Sequence, residues 1–324
     1  MKRLIAEFEK QSFVQMVFPH KDTDWNEYLK EAKKCFANII DAIAKFEKVL
    51  LVCADINEAK QYVKSNNVAF VEFKGNDTWA RDISAITIEE DGKKVLYDFE
   101  FNAWGGKYDA KLDNALTQYL KKYYKCEVKQ IPFVLEGGAI ESNGDGFLLT
   151  TAECMLHPNR NKLSKEKITQ KLQEYFGVTQ ITYLENGYLA GDDTDSHIDT
   201  LARFVDEKTI MYVTCKDKND QHYNALNAME KELKKIAFEN GFSLIPLPFC
   251  DAVYYKDERL PATYANFLMI NQAVIVPLYG TKQDQEALKI FKDFFIDREV
   301  IGVDCSVLIR QHGSLHCVTM QFGI

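Results

Sequence analysis

The sequence lacks the features that mark membrane, secreted and multidomain proteins. No run approaches 18 consecutive apolar residues, and the segment Met1–Glu7 reaches charged residues without the apolar stretch of a secretory signal. Proline is scarce, at seven residues, and no Gly- or Ser-rich linker divides the 324 residues. We therefore expect a single domain over residues 1–324, located in the cytoplasm, with no association with a membrane.

Cysteine is present, but not in the patterns that bind metals or form disulfide frameworks. The eight cysteines are scattered and include no C-x-x-C pair. Most lie among apolar neighbours, as Cys53 does at the end of Val49–Cys53, and are expected to be unreactive thiols of the core. The sequence thus predicts reduced cysteines, with neither a disulfide framework nor a zinc site.

An excess of basic residues is also lacking. The chain has 40 Lys and Arg against 48 Asp and Glu, for a formal net charge of −8. An acidic surface repels phosphate backbones, so nucleic acid is not expected as a partner, and cationic ligands are mildly favoured. A hydrophobic fraction of 46% is ample for a buried core. These figures indicate an ordinary globular protein with a substantial core.

Short apolar runs alternate with amphipathic stretches, which predicts an α/β fold. The predicted strands are Val49–Cys53, Ile83–Ile88, Lys94–Phe99, Gly146–Thr150, Ile210–Thr214, Leu244–Pro246, Phe267–Ile270, Ala273–Val276 and Leu315–Met320. The predicted helices are Trp25–Phe46, Ala110–Lys122, Ser164–Tyr175, His222–Glu239 and Asp284–Phe295.

Four segments place polar residues where predicted strands begin or end, at residues 75–83, 134–141, 191–200 and 311–320. Each also has a structural interpretation. Asp82 can pair with Arg81, and Glu136 can be a solvated residue beside a glycine bulge. The acidic run at 192–199 can be an exposed loop. A calcium loop fits it poorly, because glycine is missing at the sixth position and glutamate at the twelfth.

Two of these segments carry residues suited to nucleophilic and acid–base catalysis. In an extended segment, His197 and Asp199 would face the same way, with Ile198 buried behind them. Neighbours in a strand point to opposite faces, so His316 is badly placed to serve Cys317 as a base. If Cys317 is a nucleophile, His197 is the natural candidate for its proton-transfer partner.

Taken together, six motifs in order resemble the agmatine deiminase branch of the guanidino-modifying enzymes, relatives of the bacterial-type peptidylarginine deiminases. They span nearly the whole chain and comprise Asn76–Asp82, Phe101–Lys107, Leu135–Gly138, Gly191–Asp199, Leu260–Phe267 and His316–Gln321. The resemblance implies a five-bladed α/β propeller, the pentein fold, with pseudo-fivefold symmetry and a central polar active site. It also implies a cofactor-free hydrolase, and a homo-oligomer, with a dimer as the expected state.

The activity implied by the resemblance is deimination of agmatine to N-carbamoylputrescine and ammonia through a covalent amidino-cysteine. Cys317 would attack the guanidine carbon, and His197 would transfer protons. Asp82 and Asp199 would grip the guanidinium nitrogens, and Glu136 would orient His197. Further residues would contribute to the substrate pocket, namely Asp193 and, unless they are core aromatics, Trp79 and Trp104.

The sequence departs from the family pattern at two places. Only Gly313 remains of a glycine-rich stretch before the His-Cys pair, and a tryptophan-rich N-terminal segment is reduced to residues 14–20. Both departures affect the expected pocket wall, and therefore the choice of substrate. Free arginine and peptidyl-arginine remain alternatives to agmatine, an amidinotransferase uses the same cysteine, and a propeller without catalysis could act as a binding module.

Overall fold

A computed structural model of the protein describes residues 2–323. The strands in this range are β1 (Lys2–Leu4), β2 (Phe13–Val17), β3 (Lys48–Cys53), β4 (Val68–Glu72), β5 (Ile86–Glu90), β6 (Lys93–Glu100), β7 (Glu127–Val134), β8 (Glu141–Ser142), β9 (Phe147–Thr151), β10 (Gln180–Leu184), β11 (Ala202–Phe204), β12 (Thr209–Val213), β13 (Ser243–Leu247), β14 (Tyr254–Tyr255), β15 (Glu258–Arg259), β16 (Leu268–Ile270), β17 (Ala273–Leu278), β18 (Glu299–Asp304) and β19 (Met320–Phe322).

The helices lie between these strands and confirm the α/β class. They are α1 (Leu29–Ile43), α2 (Ile56–Tyr62), α3 (Ala80–Ile83), α4 (Ala103–Gly106), α5 (Leu116–Leu120), α6 (Ala152–Met155), α7 (Lys165–Phe176), α8 (Tyr223–Asn240) and α9 (Asp284–Phe294). Short 3-10 helices occupy Asp24–Tyr28, Asp113–Ala115, Lys121–Tyr123, Gly137–Ala139, Ile198–Thr200 and Leu308–Gln311. None of the helices in residues 2–323 is long and apolar enough to cross a membrane.

Within residues 2–323, the strands form five sheets of three or four strands and one two-stranded hairpin, β14-β15. The sheet orders are β1-β5-β6-β7, β10-β9-β8, β11-β12-β13, β16-β17-β18 and β19-β2-β3-β4. Each sheet contains an antiparallel pair followed by a parallel pair, as in β16·β17 and β17·β18. A parallel connection needs a crossover, and α5, α7, α8, α9 and α1 supply one in each sheet. A common strand–strand–helix–strand pattern thus recurs five times.

The strand β19 joins the end of the chain to its beginning. It pairs antiparallel with β2, with Met320 opposite Gln15 and Phe322 opposite Phe13. The rings of Phe13 and Phe322 stack with their centroids 4.8 Å apart. The last unit of the pattern is therefore assembled from both ends of the chain, and it places the segment just before β19 in the interior.

Local sequence signals set the ends of the crossover helix α7. The Ser164 side chain accepts a hydrogen bond from the backbone N–H of Lys167, which is an N-cap, and Gly177 ends the helix with a φ of 66°. A Cβ atom at position 177 would lie 2.0 Å from the carbonyl oxygen of Lys2. Glycine is needed here for both its conformation and the close approach of β1.

Most of the predicted elements are confirmed, including the strands near residues 49, 94, 146, 210, 244, 267 and 273 and three of the five helices. Trp25–Phe46 is divided, since a 3-10 turn precedes α1. Ala110–Lys122 is wrong as one helix. There the Asp113 carboxylate accepts the backbone N–H groups of Asn76 and Asp77, and short 3-10 turns flank α5.

Two other predicted strands differ from the structure, one directly after the motif Asn76–Asp82 and one that overlaps the motif His316–Gln321. Ile83–Ile88 begins with the end of helix α3, so the strand starts only at Ile86. Leu315–Met320 is mostly a turn that precedes β19. Its backbone groups bond to distant segments rather than to a neighbouring strand, as the N–H of Arg81 does to the carbonyl of Cys317 at 3.1 Å.

Candidate active site

Cys317 lies in the buried turn between the 3-10 helix Leu308–Gln311 and β19. Its Sγ is 3.4 Å from Oδ1 of Asn266 and 3.8 Å from Oδ2 of Asp199. The side chain of His316 leaves the same turn in another direction and bonds to Asp199 and Glu7. The ring of His316 therefore bonds to two carboxylates and not to the sulfur, as the sequence predicted. The reason given for that prediction was a strand, and the structure has a turn here instead.

His197 and Asp199 are close together, but not through an extended segment. Ile198–Thr200 is a 3-10 helix that begins after His197, and both side chains are buried. The prediction of a strand-like segment is wrong, because the Thr200 hydroxyl and backbone N–H both bond to the carbonyl of His197 and close a turn. Ile198 is fully buried, as expected.

Gly138 marks the point where three of the expected side chains meet. A Cβ atom at this position would lie 2.6 Å from Nδ1 of His197 and 3.1 Å from both Oδ2 of Asp199 and Oδ1 of Asp82. The backbone N–H of Gly138 donates to Oδ1 of Asp82 at 2.9 Å. Only a residue without a side chain leaves room for these groups to approach each other.

Asp82 lies on the short helix α3 and is held by groups other than Arg81. The indole N–H of Trp104 donates to Oδ2 of Asp82 at 2.9 Å. Trp104 has a φ of 53°, between Ala103 at 54° and Gly105 at 88°, so the segment α4 is not a regular helix but adopts a left-handed conformation that bulky residues rarely take. Arg81 points away and pairs with Glu7 at 3.4 Å. The alternative of a local Arg81–Asp82 pair is not what the structure contains.

Glu136 contacts His197, and an arginine fixes it from the other side. Its Oε2 is 4.0 Å from Nε2 of His197, and Nε of Arg160 donates to both carboxylate oxygens at 2.8 and 2.9 Å. Arg160 also donates to Asp195 at 2.7 Å. In the described part of the chain, neither ring nitrogen of His197 nor Oδ1 of Asp199 has a hydrogen-bond partner.

A cavity of about 450 Å³ leads to Cys317. It is lined by Asp24, Asp77, Trp79, Asp82, Trp104, Tyr108, Asp193, Thr194, Gln311, His312, Gly313 and Cys317. The structure thus places Asp82, Asp193, Trp79 and Trp104 in its wall. Glu136, His197 and Asp199 are buried next to the lining residues Asp82 and Cys317, with His197 Nδ1 3.8 Å from Asp82 Oδ2 and Asp199 Oδ2 3.8 Å from Cys317 Sγ. Four aspartates line the cavity and favour a cationic ligand. Burial raises the pKa of Asp77 to about 7 and also raises that of Asp82, so a bound cation would at the same time favour their ionised forms.

The rim of the cavity is held by contacts between loops. The hydroxyl of Tyr108 donates to Oδ2 of Asp193 at 2.6 Å, and Nζ of Lys107 lies 3.5 Å from Oδ1. In the segment before the His-Cys pair, His312 has a φ of 66° and its Nδ1 lies 2.7 Å from the carbonyl oxygen of Gly191. A Cβ atom on Gly313 would lie 2.3 Å from the ring of Trp79. The remaining glycine therefore preserves the tryptophan wall.

The electrostatics of the site favour a charged histidine and a neutral thiol at rest. Burial opposes the protonation of His197, but Asp82, Cys154 and Glu136 outweigh it and raise its pKa to about 10. Burial, with the negative charges of Asp199 and Asp82, raises the pKa of Cys317 well above its ordinary value. Proton transfer from His197 is therefore available at neutral pH, whereas the thiolate requires a change in its surroundings.

Three of the buried groups could in principle hold a metal ion. Ligand atoms of Glu136, Cys154 and His197 lie within 4.8 Å of one another. However, the guanidinium of Arg160 already occupies both oxygens of Glu136, and its positive charge opposes a cation there. The donor set is better suited to binding protons than to binding metal.

Comparison with known proteins identifies the family. The chain matches the Porphyromonas-type peptidyl-arginine deiminases over residues 3–322. The chain belongs to this family. Among solved structures, a Cys-to-Ser agmatine deiminase of C. jejuni with substrate bound is 43% identical, with a TM-score of 0.97 over 100% of this chain and 97% of that one.

Two further relatives extend the comparison. The agmatine deiminase of Enterococcus faecalis, solved while catalysing its reaction, is 27% identical, with a TM-score of 0.93 over 99% of this chain and 96% of that one. A protein of Marinomonas sp. (strain MWYL1) that carries the provisional name of agmatine deiminase is 33% identical over 98% of this chain and 94% of its own length. The similarity to the family therefore covers the whole fold.

Three residues that shape the site of this protein could not be identified from its sequence, namely Arg160, Asn266 and Tyr108. Arg160 lies in a polar segment shortly after α6, where a surface position would be expected, yet the structure buries it. Asn266 lies within a quoted motif, yet nothing local indicated that its amide would reach the sulfur of Cys317. Tyr108 follows another motif by one residue. Only the folded chain relates these residues to the site.

Proposed function

We propose that the protein is a hydrolase that deiminates agmatine to N-carbamoylputrescine and ammonia, with Cys317 as its nucleophile. The observation that carries this proposal is the cavity that ends at Cys317 and Asp82 and has further aspartates along its wall. A substrate with a cation at each end fits such a cavity. The C. jejuni relative, named agmatine deiminase and solved with its substrate, supports the same choice.

The guanidinium binds between Asp82 and Asp199. A planar cation with N–H groups on its edges is recognised by carboxylates that accept those hydrogens. Oδ1 of Asp199 has no hydrogen-bond partner among the described residues, and Oδ2 of the same carboxylate is 3.8 Å from the sulfur of Cys317. Binding there brings the central carbon of the guanidinium close to Sγ.

Substrate binding also activates the thiol. The charges of Asp199 and Asp82 are among the causes that raise the pKa of Cys317, and the guanidinium offsets both. The thiol then releases its proton to solvent, and the thiolate attacks the guanidinium carbon. A tetrahedral adduct with a carbon–sulfur bond results.

His197 moves the remaining protons. As an imidazolium, it donates a proton to one amino group of the adduct, the carbon–nitrogen bond breaks, and ammonia leaves. The neutral imidazole then removes a proton from water, which attacks the amidino-thioether. Expulsion of the thiolate leaves a protonated urea, and loss of its proton gives N-carbamoylputrescine. Glu136 orients His197 in both steps.

Asp193 binds the far end of the substrate. It lines the same cavity as Cys317 but is partly exposed, whereas Cys317 is buried, and Tyr108 and Lys107 fix its carboxylate. An ammonium group there is attracted by the carboxylate and by the aromatic ring of Tyr108. The α-carboxylate of free arginine would be repelled by Asp193 in the same place. Trp79 and Trp104 form the walls that hold the methylene chain between the two ends.

The architecture and cellular setting are part of the same proposal. The five recurrences of the strand–strand–helix–strand pattern support five blades around a central axis, in one domain over residues 1–324. The enzyme acts in the cytoplasm as a homo-oligomer, specifically a dimer, without nucleic acid as a partner. Its acidic net charge of −8 supports the last of these points.

Product analysis tests the function. The wild-type protein is incubated separately with agmatine, free arginine and a peptidyl-arginine, and ammonia and the carbamoyl product are quantified for each. We expect ammonia and N-carbamoylputrescine in equal amounts from agmatine. Citrulline formation from arginine or peptide at a higher kcat/KM would assign the protein to a different substrate. Transfer of the amidino group to an added amine, without ammonia, would make it an amidinotransferase.

A further inference from the structure

A buried chain of charged groups lies behind Asp199, on the side away from the substrate cavity. Nδ1 of His316 is 2.7 Å from Oδ2 of Asp199, and Nε2 of His316 is 2.6 Å from Oε2 of Glu7. All three side chains are less than 7% exposed. Both nitrogens of one imidazole thus face carboxylate oxygens at hydrogen-bonding distance.

Other segments hold this chain in place at both ends. The N–H of Met269 donates to Oε1 of Glu7 at 2.8 Å, and NH2 of Arg203 lies 2.9 Å from Oε2. The backbone N–H of His316 donates to Oδ1 of Asn266 at 2.9 Å. The imidazole therefore has little freedom to rotate, and its position fixes that of the carboxylate of Asp199.

The contact divides the two oxygens of Asp199 between separate tasks. Oδ2 is held by His316, whereas Oδ1 has no partner in residues 2–323. With Asp199 and Glu7 both ionised, the ring can donate to both only as the imidazolium, which would place a positive charge beside a fully buried carboxylate. Without that charge, a carboxyl group in this place would tend to take up a proton and lose its attraction for a guanidinium.

We propose that His316 and Glu7 are positioning residues for Asp199, His316 by anchoring Oδ2 so that the carboxylate stays beside Cys317 with Oδ1 free to accept from the guanidinium, and Glu7 by fixing His316 from behind. This inference rests on the proposed function. It gives the turn before β19 two roles, because Cys317 supplies the nucleophile and the preceding residue holds the carboxylate that binds the electrophile.

The electrostatics agree with this arrangement. Burial raises the pKa of Asp199, but the hydrogen bond and charge of His316, followed by the charges of His197 and Arg203, outweigh burial and hold it below its usual range. The titratable and charged groups that act on or lie against this carboxylate are His316, His197, Arg203, Arg81, Asp82 and Cys317.

A second cavity, of about 410 Å³, reaches His316 from behind. Glu7, Arg81 and His316 line it together with apolar residues of the N-terminal segment, and Cys317 does not. The substrate cavity, in contrast, is lined by Cys317 and not by His316. A small molecule such as imidazole can therefore approach the place of a deleted His316 side chain without entering the substrate cavity.

The test compares His316→Ala and His316→Gln with the wild type, using whichever guanidine the wild type hydrolyses fastest. Loss of the anchor in His316→Ala is expected to lower kcat/KM by about 10²-fold, as for a reacting group misplaced by about 1 Å. The pKa of Asp199 rises when His316 is removed, so the acid limb of the pH profile of kcat/KM moves to higher pH. Imidazole added to His316→Ala restores part of the activity.

His316→Gln separates position from charge and guards against misfolding of the alanine variant. Its amide N–H can still donate to Asp199, so we expect a smaller loss in kcat/KM than in His316→Ala, with the same direction of shift in the acid limb. The control is His222→Gln, which removes a buried histidine with a 2.7 Å contact to Asp220 and no contact to Asp199. Its acid limb should match that of the wild type.

The outcomes distinguish this inference from the proposed function. If the wild type hydrolyses a guanidine and the acid limb stays unmoved in both His316 variants, with no effect of imidazole, the positioning role is wrong and the function stands. A uniform loss of activity at every pH would mean that His316 only stabilises the fold, and would also overturn the inference. If the wild type hydrolyses none of agmatine, arginine and peptidyl-arginine, both proposals fall.

Discussion

Replacing Gly138 with alanine places a methyl group among the side chains proposed to carry the chemistry. The new Cβ would lie 2.6 Å from Nδ1 of His197 and 3.1 Å from oxygens of Asp82 and Asp199. Ordinary contact needs about 3.5 Å, so His197 must move by roughly 0.9 Å. A displacement of about 1 Å in a catalytic group can cost about 10²-fold in rate. The overpacking should destabilise the fold by about 1–3 kcal/mol, which leaves a stable domain folded.

The assay measures kcat for ammonia release from agmatine, with circular dichroism and urea unfolding on the same samples. We expect kcat to fall by about 10²-fold in Gly138→Ala while the protein stays folded. The matched control is Gly323→Ala, whose added Cβ meets nothing nearer than 3.4 Å and should keep both activity and stability. Wild-type turnover in a folded Gly138→Ala protein would refute the convergence of His197, Asp82 and Asp199 on one reacting group.

Three further substitutions test separate parts of the account. Cys317→Ser should lower kcat by roughly 10³-fold or more with substrate binding retained, because a serine without a strong base is a poor nucleophile. The control is Cys305→Ser, which replaces a buried thiol that does not line the cavity and should keep kcat. We expect the wild type to prefer agmatine over free arginine by at least about 10²-fold in kcat/KM. Asp193→Asn should narrow that ratio, mainly by lowering kcat/KM for agmatine. Equal values for the two substrates in the wild type would contradict the agmatine assignment. Arg160→Met leaves the buried carboxylate of Glu136 without its cation, whereas the partly exposed Asp195 keeps Lys107 at 3.0 Å. The substitution should cost about 3–5 kcal/mol in urea unfolding, against about 1 kcal/mol or less for Arg310→Met at a partly exposed pair.

Much of the scaffold could be predicted because its signals are local. Apolar runs such as Val49–Cys53 and Ala273–Val276 became strands β3 and β17, and the amphipathic stretch at His222–Glu239 became α8. The prediction of a strand near Leu315 was wrong, because a fully buried apolar run has the same pattern whether it forms a strand or a turn. There the long-range bonds to Asn266 and Arg81 decide the backbone conformation.

In the candidate site, too, the features set by local sequence could be predicted and those set by long-range contacts could not. The reactive residue types could be found by their motifs, because Cys317, His197 and the aspartates stand in polar runs beside apolar ones. The partners that set the charge of these residues could not be found in this way, because they are distant in the sequence. Arg160 lies 24 residues after its partner Glu136, and Glu7 lies 309 residues before its partner His316. Burial decides the rest. The same carboxylates would be ordinary at the surface, and only desolvation makes their pairing strong.

Trapping the covalent intermediate tests the central claim most directly. The wild-type enzyme is mixed with agmatine, quenched in acid within the first turnovers, digested and analysed by mass spectrometry. The account predicts that the peptide containing Cys317 gains the mass of agmatine less ammonia, that the modification disappears on longer incubation, and that Cys317→Ser shows none. Steady turnover of agmatine with Cys317 unmodified throughout, or with the added mass on another cysteine, would contradict it.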